Sequence, residues 1–276
     1  MLPISVMIPA YVPEGGSWDK VKRCLSSVPR ELVAQVEIIV DGGSRPPDEL
    51  AGCARYFAEN AGATANYNRC IRHARAPLVH ILHADDTACM PFYAAIAVMA
   101  EAWPRTALLG AWYVLAMDTG GAVALPRFPS PRWLEPSTYA RPLWYKNPIA
   151  ASGVVIRRGF YQEHGGFNEA LIHVADWEMW LRAFDLGGGV FSPAPLVHYY
   201  QSEEQHTSRL MRTADNLRDW LEMLPFLERR RGFDRDRFVG NVRHVALLQE
   251  REFRRRGDED AAAANAAFAQ GLEAAR

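Results

Sequence analysis

The sequence has little cysteine and no excess of charge of either sign. Its 276 residues include four cysteines, and no two of them have the CxxC spacing: Cys24, Cys53, Cys70 and Cys89. This pattern excludes a disulfide framework and a cysteine-rich zinc site, and it favours reduced, packed thiols in the cytoplasm. The formal net charge is −1. No overall positive field attracts nucleic acid, so we expect no nucleic-acid partner.

Long apolar runs are also absent. No stretch reaches the roughly 18 apolar residues that a membrane-spanning helix needs. The first strand pattern starts within three residues of Met1, which leaves no room for a signal peptide. We therefore expect a cytoplasmic protein without a transmembrane segment. Arginine clusters at 229–231 and 254–256 would allow peripheral contact with the inner face of a membrane, although interleaved acids make solvated helix faces the simpler interpretation. A homodimer is left open.

Three apolar strand patterns, each ending in polar or acidic residues, dominate the first half of the chain. They cover Ile4–Tyr11, Val36–Ser44 and Leu78–Asp86, and helical patterns separate them. Hydrophobic residues make up 49% of the chain, enough for the core of one large domain. The order β-α-β-α-β-α-β through residue 117 predicts an α/β fold with a mostly parallel sheet flanked by helices. Acids at the ends of such strands are typical of nucleotide-binding sheets.

The remaining pattern predicts the element bounds and the domain division. We expect a domain over 1–207 that divides into halves at 1–117 and 118–207, followed by a helical extension at 208–276. The segment 125–148 is rich in proline and predicts a long loop. Helices are expected at 17–27, 47–58, 63–74, 91–102, 158–164 and 176–186, and strands at 108–116, 151–156 and 190–200.

Asp85 follows a buried-looking strand and is the first candidate for binding a metal. A strand end that delivers carboxylates into a crevice suits a divalent cation and the phosphates that the cation bridges. The adjacent Asp86 is open between capping the next helix and hydrogen-bonding a bound ligand. His83 is open between ligating the metal, contacting a ribose and simple packing.

Six short motifs follow one another along the chain: Ile8–Tyr11, Val40–Ser44, Asn60–Gly62 with Asn66–Asn68, Leu82–Asp86, Gly165–Glu169 and Ala175–Trp180. In this order they resemble the motifs of family 2 glycosyltransferases with the GT-A fold, over about residues 4–208. The resemblance implies a nucleotide-sugar binding half at 1–117 and an acceptor half at 118–207.

The resemblance implies an inverting, metal-dependent transfer of sugar from a nucleotide-sugar, with UDP as the favoured nucleotide, to an acceptor hydroxyl. The acceptor would be a saccharide, a lipid-linked glycan or a small molecule, and the cofactor Mn²⁺ or Mg²⁺. Asp176 would be the catalytic base, and Trp144 and Trp177 would line the acceptor site. The metal site would use Asp85 and His83, with His206 closing over the diphosphate. The donor would contact Pro9, Ala10, Tyr11, Asp41, Tyr67, Asn68, His83, Ala84, Asp86, Ser152 and Gly153.

Two departures from the family pattern affect these expectations. His83 stands where the family has the first aspartate of its DxD metal motif. Imidazole accepts Mn²⁺ more readily than Mg²⁺, so this departure favours manganese. Ala175 stands where the family often has glutamate, which removes a charge beside the proposed base Asp176.

Several residues also have ordinary structural interpretations. Asp41 precedes Gly42 and could simply stabilise a turn. Asp176 could be an acid placed in the first turn of a helix by the helix dipole. His198 and Arg209 compete with His206 for the position over the diphosphate.

Two other functions remain as alternatives. A nucleotidyltransferase would also use acids and a metal, but it needs a basic, glycine-rich loop after the first strand. Residues 9–16 contain two glycines and no lysine or arginine. A non-catalytic nucleotide-sugar binding module would explain the His83 departure by loss of the metal.

Overall fold

The computed structural model describes residues 1–117, 122–124, 133–134, 141–201 and 206–274. Within these ranges ten strands form one mixed sheet. The strands are β1 (Leu2–Val12), β2 (Val33–Gly43), β3 (Ala54–Phe57), β4 (Leu78–Ile81), β5 (Thr87–Ala88), β6 (Leu108–Met117), β7 (Ala122–Ala124), β8 (Trp133–Leu134), β9 (Val154–Arg157) and β10 (Gly189–Gln201).

Helices cover both faces of the sheet and form the C-terminal part of the chain. They are α1 (Asp19–Ser26), α2 (Asp48–Ala51), α3 (Ala63–His73), α4 (Phe92–Ala102), α5 (Arg158–His164), α6 (Ala175–Gly187), α7 (His206–Arg212), α8 (Asp215–Leu221), α9 (Leu224–Leu227), α10 (Arg235–Arg255) and α11 (Glu259–Ala274). A short 3-10 turn, Ala151–Gly153, precedes β9.

The long strands of the sheet run in one direction. The order is β3-β2-β1-β4-β9-β6-β10-β5, with β7 beside β6 and β8 beside β10. Strand β1 pairs in parallel with β2 and β4, and β6 pairs in parallel with β10. Because β9 is antiparallel to both β4 and β6, those two strands also point the same way. The expected mostly parallel sheet with flanking helices is confirmed, and the carboxyl ends of β1, β2 and β4 meet at one edge.

Alternating side chains of β1 enter two separate cores. Ile4, Val6 and Ile8 pack on the face covered by α1 and α4. Met7 packs on the face covered by α3 and α6. Successive strand residues point to opposite faces, so a strand with both faces covered has a continuous apolar sequence rather than an alternating one.

The C-terminal helices share the second of these cores. Phe238, Val242 and Ala246 of α10 are fully buried in the same cluster as Trp177 of α6. Helix α11 lies along α10 and buries mainly alanines, as its small side chains lead us to expect. The division of the chain at 207/208 stays a prediction.

The predicted helix over 47–58 is wrong. The acids after Pro47 do start a helix, but α2 ends at Ala51. Residues Ala54–Phe57 instead form β3, which pairs with β2 in parallel. Hydrogen bonding to an existing strand edge therefore overrides the helical pattern in this segment. The predicted strand over 151–156 is also shorter, because its first three residues form the 3-10 turn.

Among the described residues, no helix combines the length and the apolar character required to cross a bilayer.

Candidate functional site

A cleft of about 1370 Å³ opens at the carboxyl ends of β1, β2 and β4. The end of β1, the loop after β4 and the first turn of α6 form much of its wall. Helices α7 and α8 of the C-terminal part also contribute side chains. The cleft is thus at the edge where an α/β sheet normally binds its ligand.

Most of the residues predicted on the nucleotide side are brought together in this cleft. The lining includes Pro9, Ala10, Tyr11, Asp41, Tyr67, His83 and Ala84. The Tyr11 side chain is 55% exposed, so its ring is accessible to a ligand. These positions are compatible with donor binding, which stays a prediction for each of them.

The Asp41 carboxylate is occupied by protein groups. It accepts hydrogen bonds from the backbone N–H groups of Ala61 and Gly62 at 3.1 and 3.0 Å. It also forms an ion pair with Arg69. The following Gly42 has a φ of +73°, a conformation that glycine adopts at little cost. The carboxylate therefore holds the turn at 60–62 that leads into α3, rather than the turn at Gly42. A role in binding a base or ribose stays a prediction.

His83, Asp85 and Asp86 form a group that could hold a metal ion. One potential ligand atom from each residue lies within 4.8 Å of those from the other two. The Nε2 atom of His83 is buried and makes no hydrogen bond to the described residues. A buried polar atom without a partner is costly, and a metal ion would satisfy this one. Burial lowers the pKa of His83, against the opposing effect of Asp85. The imidazole is therefore neutral, as a ligand must be.

Asp86 differs from the other two members of this group. Its side chain is fully buried and accepts a hydrogen bond from Ser152 Oγ at 2.5 Å and one from the backbone N–H of Tyr200 at 2.9 Å. Burial, and then the negative charge of Asp85, raise the pKa of its carboxyl group. Asp86 therefore holds the loop after β4 to the 3-10 turn before β9 and to β10. His83 and Asp85 line the cleft and are the ligands that a bound ion could reach.

Ser152 makes three of the hydrogen bonds that hold β4 and the loop after it in place. Its hydroxyl accepts a hydrogen bond from the backbone N–H of His83 at 3.1 Å, and its carbonyl lies 2.8 Å from His80 Nε2. Burial lowers the pKa of His80 to about 4, so the ring is neutral and donates to the carbonyl.

A Cβ on the adjacent Gly153 would lie 2.6 Å from the carbonyl oxygen of Ala111. A side chain here would therefore force the neighbouring backbone to shift.

Four residues predicted to contact the donor lie outside the cleft lining: Asn68, Asp86, Ser152 and Gly153. Asn68 donates a hydrogen bond to the Phe167 carbonyl at 3.0 Å and accepts one from the Phe167 N–H at 2.8 Å. These residues hold the wall of the cleft in place. Direct contact with the donor stays a prediction for them.

Two residues that the sequence reasoning did not connect with the metal group support it. Arg23 of α1 donates a hydrogen bond to the carbonyl oxygen of Asp85 at 2.8 Å and packs over the Tyr200 ring at 3.8 Å. The Tyr67 ring stacks on the His83 ring, with centroids 5.2 Å apart and 15° between the planes. These contacts fix the Asp85 main chain and the orientation of the imidazole.

Asp176 lines the cleft from the first turn of α6. Its carboxylate accepts hydrogen bonds from the Trp177 N–H at 2.6 Å and from Asn147 Nδ2 at 3.2 Å. Burial raises its pKa from 3.8 to about 7, because these hydrogen bonds only partly offset the loss of water. A carboxylate with this pKa can accept a proton near neutral pH.

The other acids of this segment are used elsewhere. Glu178 forms two hydrogen bonds with Arg182, at 3.0 and 2.9 Å. Glu169 accepts a hydrogen bond from Asn68 at 2.7 Å. Neither lines the cleft, which leaves Asp176 as the acid of this segment that faces it.

The two predicted acceptor tryptophans are mostly enclosed by protein. Trp177 is 1% exposed and donates its indole N–H to the Leu143 carbonyl at 2.5 Å. Trp144 is 8% exposed and is not part of the cleft lining. Trp220 of α8, which the sequence reasoning did not single out, lines the cleft and is only partly buried.

Among the described residues, the lysine and arginine side chains that line the cleft are Lys20 of α1 and Arg209 of α7. The side chain of His206 lies outside the described part of the chain. His198 lies beside Thr87 and Cys89, with its Nδ1 atom 3.3 and 3.8 Å from their side chains, and does not line the cleft. Of the alternatives to His206, Arg209 is the one that reaches the cleft.

Comparison with known proteins gives structural matches only. No family model and no curated protein sequence matches the chain. The structure of S. aureus TarS 1–349 in complex with UDP-GlcNAc matches with a TM-score of 0.60 at 14% identity, over 97% of this chain and 92% of that one. The structure of GalNAc-T7 with UDP, GalNAc and Mn²⁺ matches with a TM-score of 0.59 at 16% identity, over 82% of this chain and 48% of that one.

The matched structures have the same curled sheet with flanking helices. At these identities the likeness identifies an architecture and not a reaction. The chain has the GT-A fold of glycosyltransferases.

Proposed function

We propose that the protein is an inverting, metal-assisted glycosyltransferase that uses a nucleoside diphosphate sugar, with UDP as the nucleotide. The observation that carries the proposal is that one cleft is lined both by His83 and Asp85 and by Asp176. The first two residues offer a metal site for a diphosphate, and the third offers a base with a pKa near neutrality. The cleft would therefore place a metal at the diphosphate leaving group and a base at the acceptor hydroxyl.

The structural matches support the choice of donor. TarS is solved with UDP-GlcNAc, and GalNAc-T7 with UDP, GalNAc and Mn²⁺. In this chain the accessible Tyr11 and the stacked Tyr67–His83 pair line the cleft. A flat base and a ribose fit such aromatic walls.

The departure of the nucleotide requires positive charge. When bound, a divalent cation supplies that charge to the diphosphate leaving group. Asp85 and the neutral His83 imidazole would hold the cation, and the nitrogen ligand favours Mn²⁺ over Mg²⁺. Lys20 and Arg209 would add positive charge from the cleft wall.

Asp176 acts at the acceptor. Its ionised carboxylate takes the proton of the acceptor hydroxyl as the oxygen bonds to the anomeric carbon. The bond from that carbon to the diphosphate oxygen breaks, and its electron pair leaves with the nucleotide. Attack from the face opposite the leaving group inverts the anomeric centre, and a single base suffices for this route.

A binding panel tests the donor. We expect UDP-GlcNAc with Mn²⁺ to raise the melting temperature more than GDP-, dTDP- or CMP-sugars, because a ligand stabilises the folded state by mass action. The Asp85→Asn variant should lose the Mn²⁺-dependent part of this shift. Asp48→Asn changes an exposed acid outside the cleft and is the matched control. No response to any nucleotide-sugar would overturn the proposed donor class.

Release of UDP and the configuration of the product test the reaction. UDP release that depends on Mn²⁺ and Asp176 would identify an enzyme, whereas binding without release would indicate a non-catalytic binding module. Proton NMR of the new glycosidic bond gives its anomeric configuration. Retention of the donor's configuration would rule out the single-base route through Asp176.

A further inference from the structure

Asp219 of α8 holds the chain segment in front of the proposed base. Its buried carboxylate accepts hydrogen bonds from three consecutive backbone N–H groups. These come from Ile172 at 3.2 Å, His173 at 2.5 Å and Val174 at 2.8 Å. All three residues line the cleft and lead directly into α6. Hydrogen bonds to an ionised acceptor are stronger than neutral ones, so Asp219 determines where this main chain lies.

The next residue of α8, Trp220, forms part of the cleft wall. Its ring packs edge-on against Trp177, with centroids 5.0 Å apart and 72° between the planes. Trp177 is itself buried, so the accessible indole on this side of the cleft belongs to Trp220. Ile172, whose side chain is 56% exposed, lies in the same wall.

We propose that α8 builds the acceptor subsite of the cleft, with Asp219 as a positioning residue for the main chain at 172–174 and Trp220 as a stacking surface for a sugar ring of the acceptor. This inference rests on the proposed function. It names the acceptor as a saccharide, because the apolar face of a pyranose packs on an aromatic ring while its hydroxyl groups remain free for hydrogen bonds. It also gives the C-terminal helices a direct part in the reaction.

The placement of the two residues predicts separate kinetic effects. Trp220 would touch the acceptor, so its loss should weaken acceptor binding. Asp219 touches neither substrate, so its loss should lower turnover by displacing the segment that carries Asp176. Neither residue contacts the metal group in the described structure, and donor affinity should stay the same for both.

The test uses the full chain with UDP-GlcNAc, Mn²⁺ and methyl glycosides of glucose, galactose and N-acetylglucosamine as acceptor probes. Trp220→Ala should raise the half-saturating concentration of the active probe about tenfold, the effect of one lost aromatic contact. Trp220→Phe should keep most of the wild-type affinity for the probe, because it retains an aromatic ring. Unchanged probe saturation in Trp220→Ala would remove Trp220 from the acceptor site.

Asp219→Asn should lower turnover at least about tenfold at unchanged donor affinity. Asp215→Asn is the matched control, because Asp215 is an exposed acid of the same helix that pairs with Arg218.

The charge of Asp219 also raises the pKa of Asp176, whose other titratable neighbours include Tyr67 and Tyr199. The acidic limb of the pH–rate profile should therefore move to lower pH in Asp219→Asn. An unmoved limb with normal turnover would show that Asp219 has only a structural role.

Failure of the proposed function gives a different result. In that case the wild type would release no UDP from any donor. Hydrogen exchange then tests Asp219, because the amides of 172–174 should exchange faster in Asp219→Asn than in Asp215→Asn. Saturation-transfer NMR of the methyl glycosides with wild type and Trp220→Ala tests the stacking surface. Equal exchange, or equal transfer, would overturn the corresponding half of the proposal.

Discussion

Replacing Asp176 by asparagine removes the proposed base and keeps the size of the side chain. The asparagine oxygen can still accept the hydrogen bond that the Trp177 N–H donates at 2.6 Å in the wild type. General-base assistance typically contributes 10²–10⁴-fold, about 3–5 kcal/mol of barrier. We expect kcat to fall by this factor. The dissociation constant of the donor should stay within about twofold, because the metal group is formed by other residues.

The same substitution should make the protein more stable at neutral and alkaline pH. Burial raises the pKa of Asp176 from 3.8 to about 7, so the folded state prefers the protonated form. In the wild type this carboxyl group therefore makes its full contribution to the free energy of unfolding below pH 3.8. That contribution is lost as the pH rises to about 7. At about 1.4 kcal/mol per pKa unit, the loss is at most about 4 kcal/mol. Asparagine does not ionise, so the free energy of unfolding of Asp176→Asn should rise relative to that of the wild type between pH 3.8 and about 7.

Two assays check these expectations on metal-free protein and on the Mn²⁺ complex. Urea unfolding of metal-free wild type and Asp176→Asn at pH 4, 6 and 8 gives the stability difference, which should widen with pH. UDP release against pH gives the rate, which in the wild type should rise with pH towards a plateau above about pH 7. A stability difference that is the same at pH 4 and 8 would refute the raised pKa. Collapse of donor affinity together with the rate would place Asp176 in the donor site instead.

Three further substitutions test the rest of the site. Asp85→Asn should abolish the Mn²⁺-dependent affinity for UDP in calorimetry while changing the free energy of unfolding by no more than about 1 kcal/mol, and wild-type affinity would refute its role as a ligand. His83→Asp should shift the metal that supports faster turnover from Mn²⁺ towards Mg²⁺, whereas equal rates with both metals in both proteins would place His83 outside the coordination sphere. Gly153→Ala should destabilise the fold by about 1–3 kcal/mol in urea unfolding, because its Cβ would meet a backbone oxygen at 2.6 Å. Gly159→Ala, with nothing within 4 Å of the new atom, is the control and should be neutral or stabilising.

Features encoded locally in the sequence could be predicted. The apolar runs of β1, β2 and β4 and the acids that end them identified the sheet edge that forms the cleft. The helix start at Ala175–Asp176 and the glycines after α6 gave that helix nearly its observed bounds. In each case the decisive residues are neighbours in the chain, so their spacing carries the information.

Features that depend on distant partners could not be predicted. Strand β3 forms because the edge of β2 is available, and the helical signal after Pro47 gave no sign of it. Asp219 lies more than 40 residues beyond the amides that it binds. Trp220 had nothing in its local sequence to separate it from the other tryptophans. Its exposure in the cleft, like the burial of Trp144, depends on how the C-terminal helices pack.

The position of β9 in the sheet has a consequence for the order in which the chain can fold during synthesis. Strands β4 and β6 are complete by residue 117, yet the strand between them is made only at Val154–Arg157. Until then β4 has one unpaired edge, although all four of its side chains are buried in the finished protein. An unpaired apolar edge is prone to pair with other chains. We therefore expect the nascent protein to expose an apolar edge of β4 until β9 emerges from the ribosome, and an edge of β6 until β10 follows.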